Sequence, residues 1–432
     1  MSLNQGVYIQ PGSRVSLLKE RAFRSPENSF DVAPLESYWV DTPQEGSIDV
    51  PQRAHVKERR RVIRCDGKRM VNKVVDKGFE EFAPSVPFYL DSGRWLYFGH
   101  GGCETTGQDY SPAITGSVTS INAPLGTIFT NANFGADESK IGDMLEVDMG
   151  GGEIRRFHVK DNDATSILTN GTLTGDLVGK TVTLKTGPFL HEITVGNRVP
   201  SFAWQVKLPH EQIPGRDITA CMLGSIVTSY DLAIDLDADI LQTVGMKGGK
   251  RVDTNPSHDF PACLDINEIQ WDHIKEFTVT YDGDVICDGG YNIGAGGNVD
   301  MIGYGFENAI DHRVFTGDYY PKRVKDGLFE PTIKCHYFPF DDTFYKLIET
   351  PLSEYNGRID IYLLLEYDAD RYFEFTLDDC YLSKHPMGIP TKEDYEVGVD
   401  AEFMFDGNLL AEPDIKVKDG LGIIYYEDSY NA

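Results

Sequence analysis

The chain lacks the marks of most catalytic classes. It contains no GxSxG, HExxH or P-loop pattern. Its ten histidines are scattered. Cys335 and His336 are adjacent, so on a strand they face opposite sides and cannot chelate one ion. GAGGN at 294–298 opens no helix and reads as a loop tip. Asp235, Asp237 and Asp239 have the spacing of an EF-hand start, but Ile240 stands where that loop requires glycine. We expect no enzyme, no cofactor and no metal site. Cysteine is sparse and odd in number, seven residues without a CxxC, which disfavours a disulfide framework or a zinc site. Reduced, mostly buried thiols are expected.

Long apolar runs are missing too. None reaches the ~20 residues of a membrane helix. The longest, IDIYLLLEYD, is broken by Asp360 and Glu366. MSLNQGVYIQPGSRV carries no apolar signal-peptide core, so assembly in a cytoplasm is expected. Positive charge is scarce: 40 Lys and Arg stand against 68 Asp and Glu, a net −28. Such a surface is ill suited to grip a phosphate backbone. The one dense basic run, KERRRVIRCDGKRMVNK, alternates through Val62, Arg64 and Asp66 without interleaved aromatics. It reads as a solvated hairpin turning at CDGKR.

What is present points to strands. Hydrophobic residues make up 41% and aromatics 11%, enough for a packed core. Short Val, Ile, Thr, Tyr and Phe runs lie between many of the 43 glycines and 22 prolines. The expected class is mainly β. KVVDKGFE at 73–80 returns as RVKDGLFE at 323–330. Val74, Asp76, Phe79 and Glu80 match Val324, Asp326, Phe329 and Glu330; without a gap, Phe88 then meets Phe338, Asp91 meets Asp341 and Trp95 meets Tyr345. Further on, a strand runs into Cys221 and another into Cys380, each followed by a polar turn region and an alternating strand. Asp237-Ala238-Asp239-Ile240 there resembles Asp400-Ala401-Glu402-Phe403. We expect two tandem antiparallel sandwich or barrel units, each with a short helix. In the second, Asp341 or Asp342 caps DDTFYKLIET, Phe344, Leu347 and Ile348 share a face, and Pro351 ends the helix. In the first, DSGRWLYFG is a weaker counterpart because of Gly93.

The domain reading is a polar arm at 1–36, a first unit at 37–111 and 187–265, an inserted β-domain at 112–186, a second unit at 266–410 and an extension at 411–432 containing GIIYY. The insert is Gly-, Thr- and Asn-rich and reads as five or six short strands. Two acidic rows stand out. Asp235, Asp237 and Asp239 oppose Ile234, Leu236, Ala238 and Ile240; Asp394, Glu396, Asp400 and Glu402 oppose Tyr395, Val397, Val399, Ala401 and Phe403. Neighbours on one strand face sit roughly 7 Å apart, inside the ~8 Å Debye length. Such rows are either solvated faces or a wall that repels a polyanion.

PFLHEITVG and VPSFAWQVKLP (188–209), the strand–Cys–turn–strand at 218–243 and IKEFTVTYDGDVI (274–286) occur in an order that resembles the tail tube proteins of long-tailed bacterial and archaeal viruses. The resemblance implies paired antiparallel sheets, rings stacked into a hollow tube, and DNA passing through without specific binding. It implies a virion-tail location, with the chain itself and other tail proteins as partners and no membrane. Two units in one chain imply a trimeric, pseudo-hexameric ring, and the acidic rows are then candidates for its lumen. The alternatives are a tail hub or terminator protein, or a carbohydrate-binding adhesive β-protein stacking sugars on Trp95, Trp204 or Trp271.

Overall fold

The structure is a computed structural model. It describes residues 14–22, 25–26, 38–39, 55–61, 72–80, 82–135, 140, 142–169, 173–208, 218–235, 239–252, 269–290, 298–313, 323–325, 327–339, 342–351, 358–385, 398–405 and 413–420. The described chain is mainly β and antiparallel, with two short α-helices among its described residues.

The elements begin with β1 (Arg14–Ala22), β2 (Ser25–Pro26) and β3 (Tyr38–Trp39). β4 (His55–Arg61) and β5 (Asn72–Glu80) form a two-stranded ribbon. β6 (Ser85–Tyr89) leads into α1 (Arg94–His100), and β7 (Gly101–Asp109) leads out of it. Next come β8 (Thr115–Asn122), β9 (Thr127–Thr130), β10 (Met144–Gly150), β11 (Glu153–Asp163), β12 (Ser166–Thr169) and the long β13 (Thr181–Val195). β14 (Phe202–Leu208), β15 (Ile218–Asp235), β16 (Leu241–Lys247) and β17 (Lys250–Val252) follow. β18 (Ile274–Tyr281), β19 (Asp284–Gly289) and β20 (Val299–Asn308) precede a second ribbon, β21 (Asp311–Arg313) with β22 (Arg323–Lys325). β23 (Phe329–Tyr337) enters α2 (Thr343–Glu349), and β24 (Ile359–Asp368), β25 (Arg371–Lys384), β26 (Val399–Phe405) and β27 (Asp414–Asp419) complete the order.

The pairing follows one plan in two parts of the chain. In each, a ribbon precedes a strand that runs into a helix. That strand, β6 or β23, pairs with β16 or β26. These pair in turn with a long strand, β15 or β25, whose first part pairs with β14 or β24. β1 and β18 flank those last strands. β1 lies inside the segment that reads in sequence as a featureless polar arm.

The parts differ after the helix. Residues 101–201 separate α1 from β14, whereas residues 350–358 separate α2 from β24. The extra length is one arm. β7 and the latter part of β13 pair as its stem. At its end the pairings β8–β9, β9–β12, β12–β11, β11–β10, β10–β13 and β13–β8 return to their start. This is a closed six-stranded barrel, filled by its own cluster of Val118, Ile128, Leu145, Val147, Phe157, Val159, Ile167, Val182 and Leu184. PFLHEITVG, one of the segments that resembled the tube family, lies on this stem.

Elsewhere one core joins both parts. Phe88 stacks on Trp95 at 5.0 Å, and Trp95 meets Phe202 edge-on at 5.7 Å. Trp95 and Trp204 are 0% and 1% exposed, so neither presents a face to a sugar; the Trp271 side chain lies outside the described residues. IDIYLLLEYD forms β24 with inward Ile359, Ile361, Leu363 and Leu365. Asp282 (φ 53°) and Gly283 (φ 88°) turn β18 into β19, the left-handed pair that a tight hairpin needs. Cys221, Cys287, Cys335 and Cys380 are buried.

Several expectations are corrected. α2 buries Phe344 and Leu347, but Asp342 makes no capping bond and pairs with Lys346 at 2.6 Å instead. Gly93 precedes α1, and the whole helix is buried. The eight-letter repeat spans different elements: Phe79 and Glu80 end β5, whereas Phe329 and Glu330 begin β23. The gapless match of Trp95 to Tyr345 slips by one residue, because Tyr345 is 43% exposed and the buried counterpart is Phe344. The acidic strand read through Asp239 is two elements: β15 ends at Asp235, β16 starts at Leu241, and the two pair antiparallel. Asp326, Asp341, GIIYY and the CDGKR turn lie outside the described residues.

Candidate functional site

One continuous sheet runs β6–β16–β15–β20–β23–β26–β25, the last through its second part. β20 is its centre, joining β15 of the first part to β23 of the second. Alternation sends Val86, Phe88, Val244, Tyr230, Leu232, Ile302, Tyr304, Phe306, Ile333, Cys335 and Phe403 into the core.

The other face is open, and the register sorts it into rungs across the strands. One rung is Ser85, Gly245, Ser229, Glu307 and Glu330. The next is Pro87, Thr243, Asp231, Gly305, Thr332, Met404 and Tyr381. A third is Tyr89, Leu241, Ala233, Gly303, Lys334, Glu402 and Lys384, and a fourth is Asp235, Met301, His336 and Asp400. Carboxylates outnumber cations on these rungs. Glu307 stands directly opposite Glu330, an arrangement that costs stability. Lys384 reaches Glu402 at 2.8 Å, and His336 Nδ1 lies 2.5 Å from Asp300.

Of the candidates named from sequence, Asp235, Asp400 and Glu402 lie on this face. Asp239 is exposed between β15 and β16, outside either strand. Asp237, Asp394 and Glu396 lie outside the described residues. Asp400-Ala401-Glu402 belongs to β26, whose counterpart β16 starts at Leu241, after Asp239. Glu330, singled out only as a repeat landmark, sits on the face. Asp231 and Glu307 were missed. The alternation in YDLAID and the GYGFE pattern mark them once the pairing is known.

The junction between the parts is built on β20. His100 Nδ1–H donates to the Leu96 carbonyl at 2.8 Å, so Nε2 accepts from the Tyr304 hydroxyl at 2.8 Å. Burial drives the His100 pKa down to about 4, so the ring is neutral. Asn308 donates to the Gly99 carbonyl at 2.9 Å and to that of Val227 at 3.3 Å. Phe306 lies so close to Gly99 that a Cβ there would sit 1.9 Å from its ring. Phe306 also stacks on Tyr230 at 5.3 Å.

The sheet has two ends. Among the described residues, β6 pairs with no strand other than β16. The second part of β25 pairs with no strand other than β26. Exposed strand edges template further pairing. Among the described residues no group of three or more His, Cys, Asp or Glu is arranged to hold a metal ion. No helix of the described residues is long and apolar enough to cross a membrane. No protein-family model matches the chain, and no curated protein matches it.

Proposed function

We propose that this chain is a structural virion protein. Three copies join through their open sheet edges into a pseudo-hexameric ring, and the rings stack into a viral tail tube. The observation that carries this reading is the sheet itself. A three-stranded module, β6–β16–β15, is followed by β20 and then by the corresponding module β23–β26–β25. Repeating that step around an axis closes the sheet and removes both edges. The two modules are one ring unit written twice.

The face rich in Asp231, Asp235, Glu307, Glu330, Asp400 and Glu402 is the lumen on this reading. It lets DNA pass without specific binding, because like charge prevents adhesion. The partners are further copies of the chain and other tail proteins, in a tail assembled in the host cytoplasm. A hub or terminator would use the same edges at lower copy number per particle. The adhesive reading is disfavoured by the burial of Trp95 and Trp204.

Negative-stain microscopy of the purified full chain tests the class: rings or striated tubes are expected, and dispersed monomers at all concentrations would refute it. In assembled particles, neutralising Asp231, Asp235, Asp400 and Glu402 together should slow DNA ejection while rings still form. Unchanged ejection would remove the lumen assignment.

A further inference from the structure

The hairpin β18–β19 meets the sheet centred on β20 at a corner built by Asn298, which is 5% exposed. The Asn298 N–H donates to the Asp288 carbonyl at 2.9 Å, and its Oδ1 accepts from the Asp288 N–H at 3.0 Å. On the other side its Nδ2 donates to the Phe338 carbonyl at 2.8 Å, and its own carbonyl accepts from the Phe338 N–H at 2.8 Å. One residue thus ties the end of β19 to the residue after β23. A Cβ on Gly289 would lie 3.3 Å from the Cβ of Val299, so the chains approach closely there.

Behind this corner two cysteines meet. Cys287 precedes Asp288 in β19, and alternation turns it inward opposite Val279. Cys335 lies inward on β23, between Ile302 of β20 and Ala401 of β26. They are 1% and 0% exposed and share one core cluster. The Cys287 thiol hydrogen-bonds to Cys335 Sγ, and burial holds its pKa well above the ordinary thiol range. Two further buried cysteines are engaged elsewhere. Cys380 Sγ donates to the Leu377 carbonyl at 3.4 Å, and Cys221 packs in a separate cluster with Ala203 and Leu223. Packing alone does not call for sulfur at this place. Val86 stands as far before Trp95 as Cys335 does before Phe344, and it fills the same position in the first part.

We propose that Cys287 and Cys335 are an oxidant-sensitive pair that closes into a disulfide between β19 and β23. Peroxide is the class of oxidant, because hydrogen peroxide is little larger than water and reaches the pair when β19 opens locally. One thiolate attacks a peroxide oxygen, the O–O bond breaks, and a sulfenic acid and hydroxide form. The second sulfur then attacks the sulfenic sulfur, forming the S–S bond and releasing water. Two thiols and one hydrogen peroxide become one disulfide and two waters; the sulfurs give up two electrons and the O–O bond takes them. While β19 is docked its protonated thiol is inert, so closure follows opening. The bond then fastens the hairpin to the sheet and constrains the unfolded chain.

Hydrogen peroxide added to the purified full chain tests this, with remaining thiols blocked before digestion. A peptide pair joined through Cys287 and Cys335 is expected, separated again by reductant. The main unfolding transition of the oxidised chain should rise by several degrees and fall back on reduction. Cys335→Val copies the first part, keeps the packing and should remove both changes. Sulfinic or sulfonic acid at either residue without the joined peptides would overturn the pairing, as would a bond from either residue to another cysteine. Both thiols still open to blocking after peroxide treatment in mild denaturant, where β19 opens, would overturn it too. Joined peptides with an unmoved transition would refute the fastening.

Discussion

The barrel on the arm and the sheet centred on β20 solve the same problem in opposite ways. Both are antiparallel, and both bury one face of alternating strands. The barrel pairs its last strand with its first, so each of its six strands has a neighbour on both sides. The long sheet stops at β6 and at the second part of β25, each paired with one strand only among the described residues. Each also has its own apolar cluster. A region without edges can be carried outward on a stem without competing for assembly. On the proposed ring reading, a region with two matched edges is directed towards its own copies. On that reading, closure separates the region that needs no neighbour from the region that a neighbour completes.

Substitutions can break or sharpen that contrast. The largest effect is expected from Trp95→Ala, in the aromatic cluster of the open sheet. Deleting such a side chain costs about 3–5 kcal/mol. Calorimetry should show the main transition lowered and the barrel transition unmoved. A common shift of all transitions would mean that the two cores are one cooperative unit.

Acid comes next. His100 is buried and neutral, with its pKa lowered to about 4 from 6.5. The unfolded chain therefore binds the extra proton first as pH falls, and stability drops between about pH 6.5 and 4, by about 3 kcal/mol in all. The loss belongs to the α1–β20 junction. Unfolding followed against pH in the wild type and in His100→Gln should show a flatter slope for the variant over that window. Equal slopes would remove His100 as the cause. The smallest effect is expected from Ile167→Val inside the barrel, about 1 kcal/mol. It should lower the barrel transition alone and leave ring formation unchanged by microscopy.

Much of this architecture was legible in local pattern. IDIYLLLEYD alternates and forms β24, and the Asp-Gly pair at 282–283 turns the hairpin. Phe344 and Leu347 face the core from α2. Where reading failed, the cause was non-local. Alternation in the letters runs on from Ile234 to Ile240, so period alone cannot show that β15 ends at Asp235 and β16 begins at Leu241. A one-residue slip moves a helix side chain from core to solvent, which is why Tyr345 was matched to Trp95 in place of Phe344. The open face could not be assembled at all. Asp231, Glu307 and Glu330 meet through rungs set by pairings far apart in sequence, and no single strand reveals them. Likewise the stem of the arm reads as part of a repeated unit, because a strand that belongs to an insertion has the same period as one that does not.

β27 is the last described strand of the chain, and it lies between β13 and β25, hydrogen-bonded to both. There Thr105 Oγ1, His191 and Asp419 form a buried chain of contacts at 2.9 and 3.3 Å. Domains fold as they leave the ribosome, N-terminal portions first. The seam that fastens the arm to the second half must therefore wait until β27 has emerged, after both β13 and β25, and a chain cut before Asp414 carries that seam unzipped. β27 is thus a clasp added late, closing the arm onto the second half only after both of its neighbours have been made.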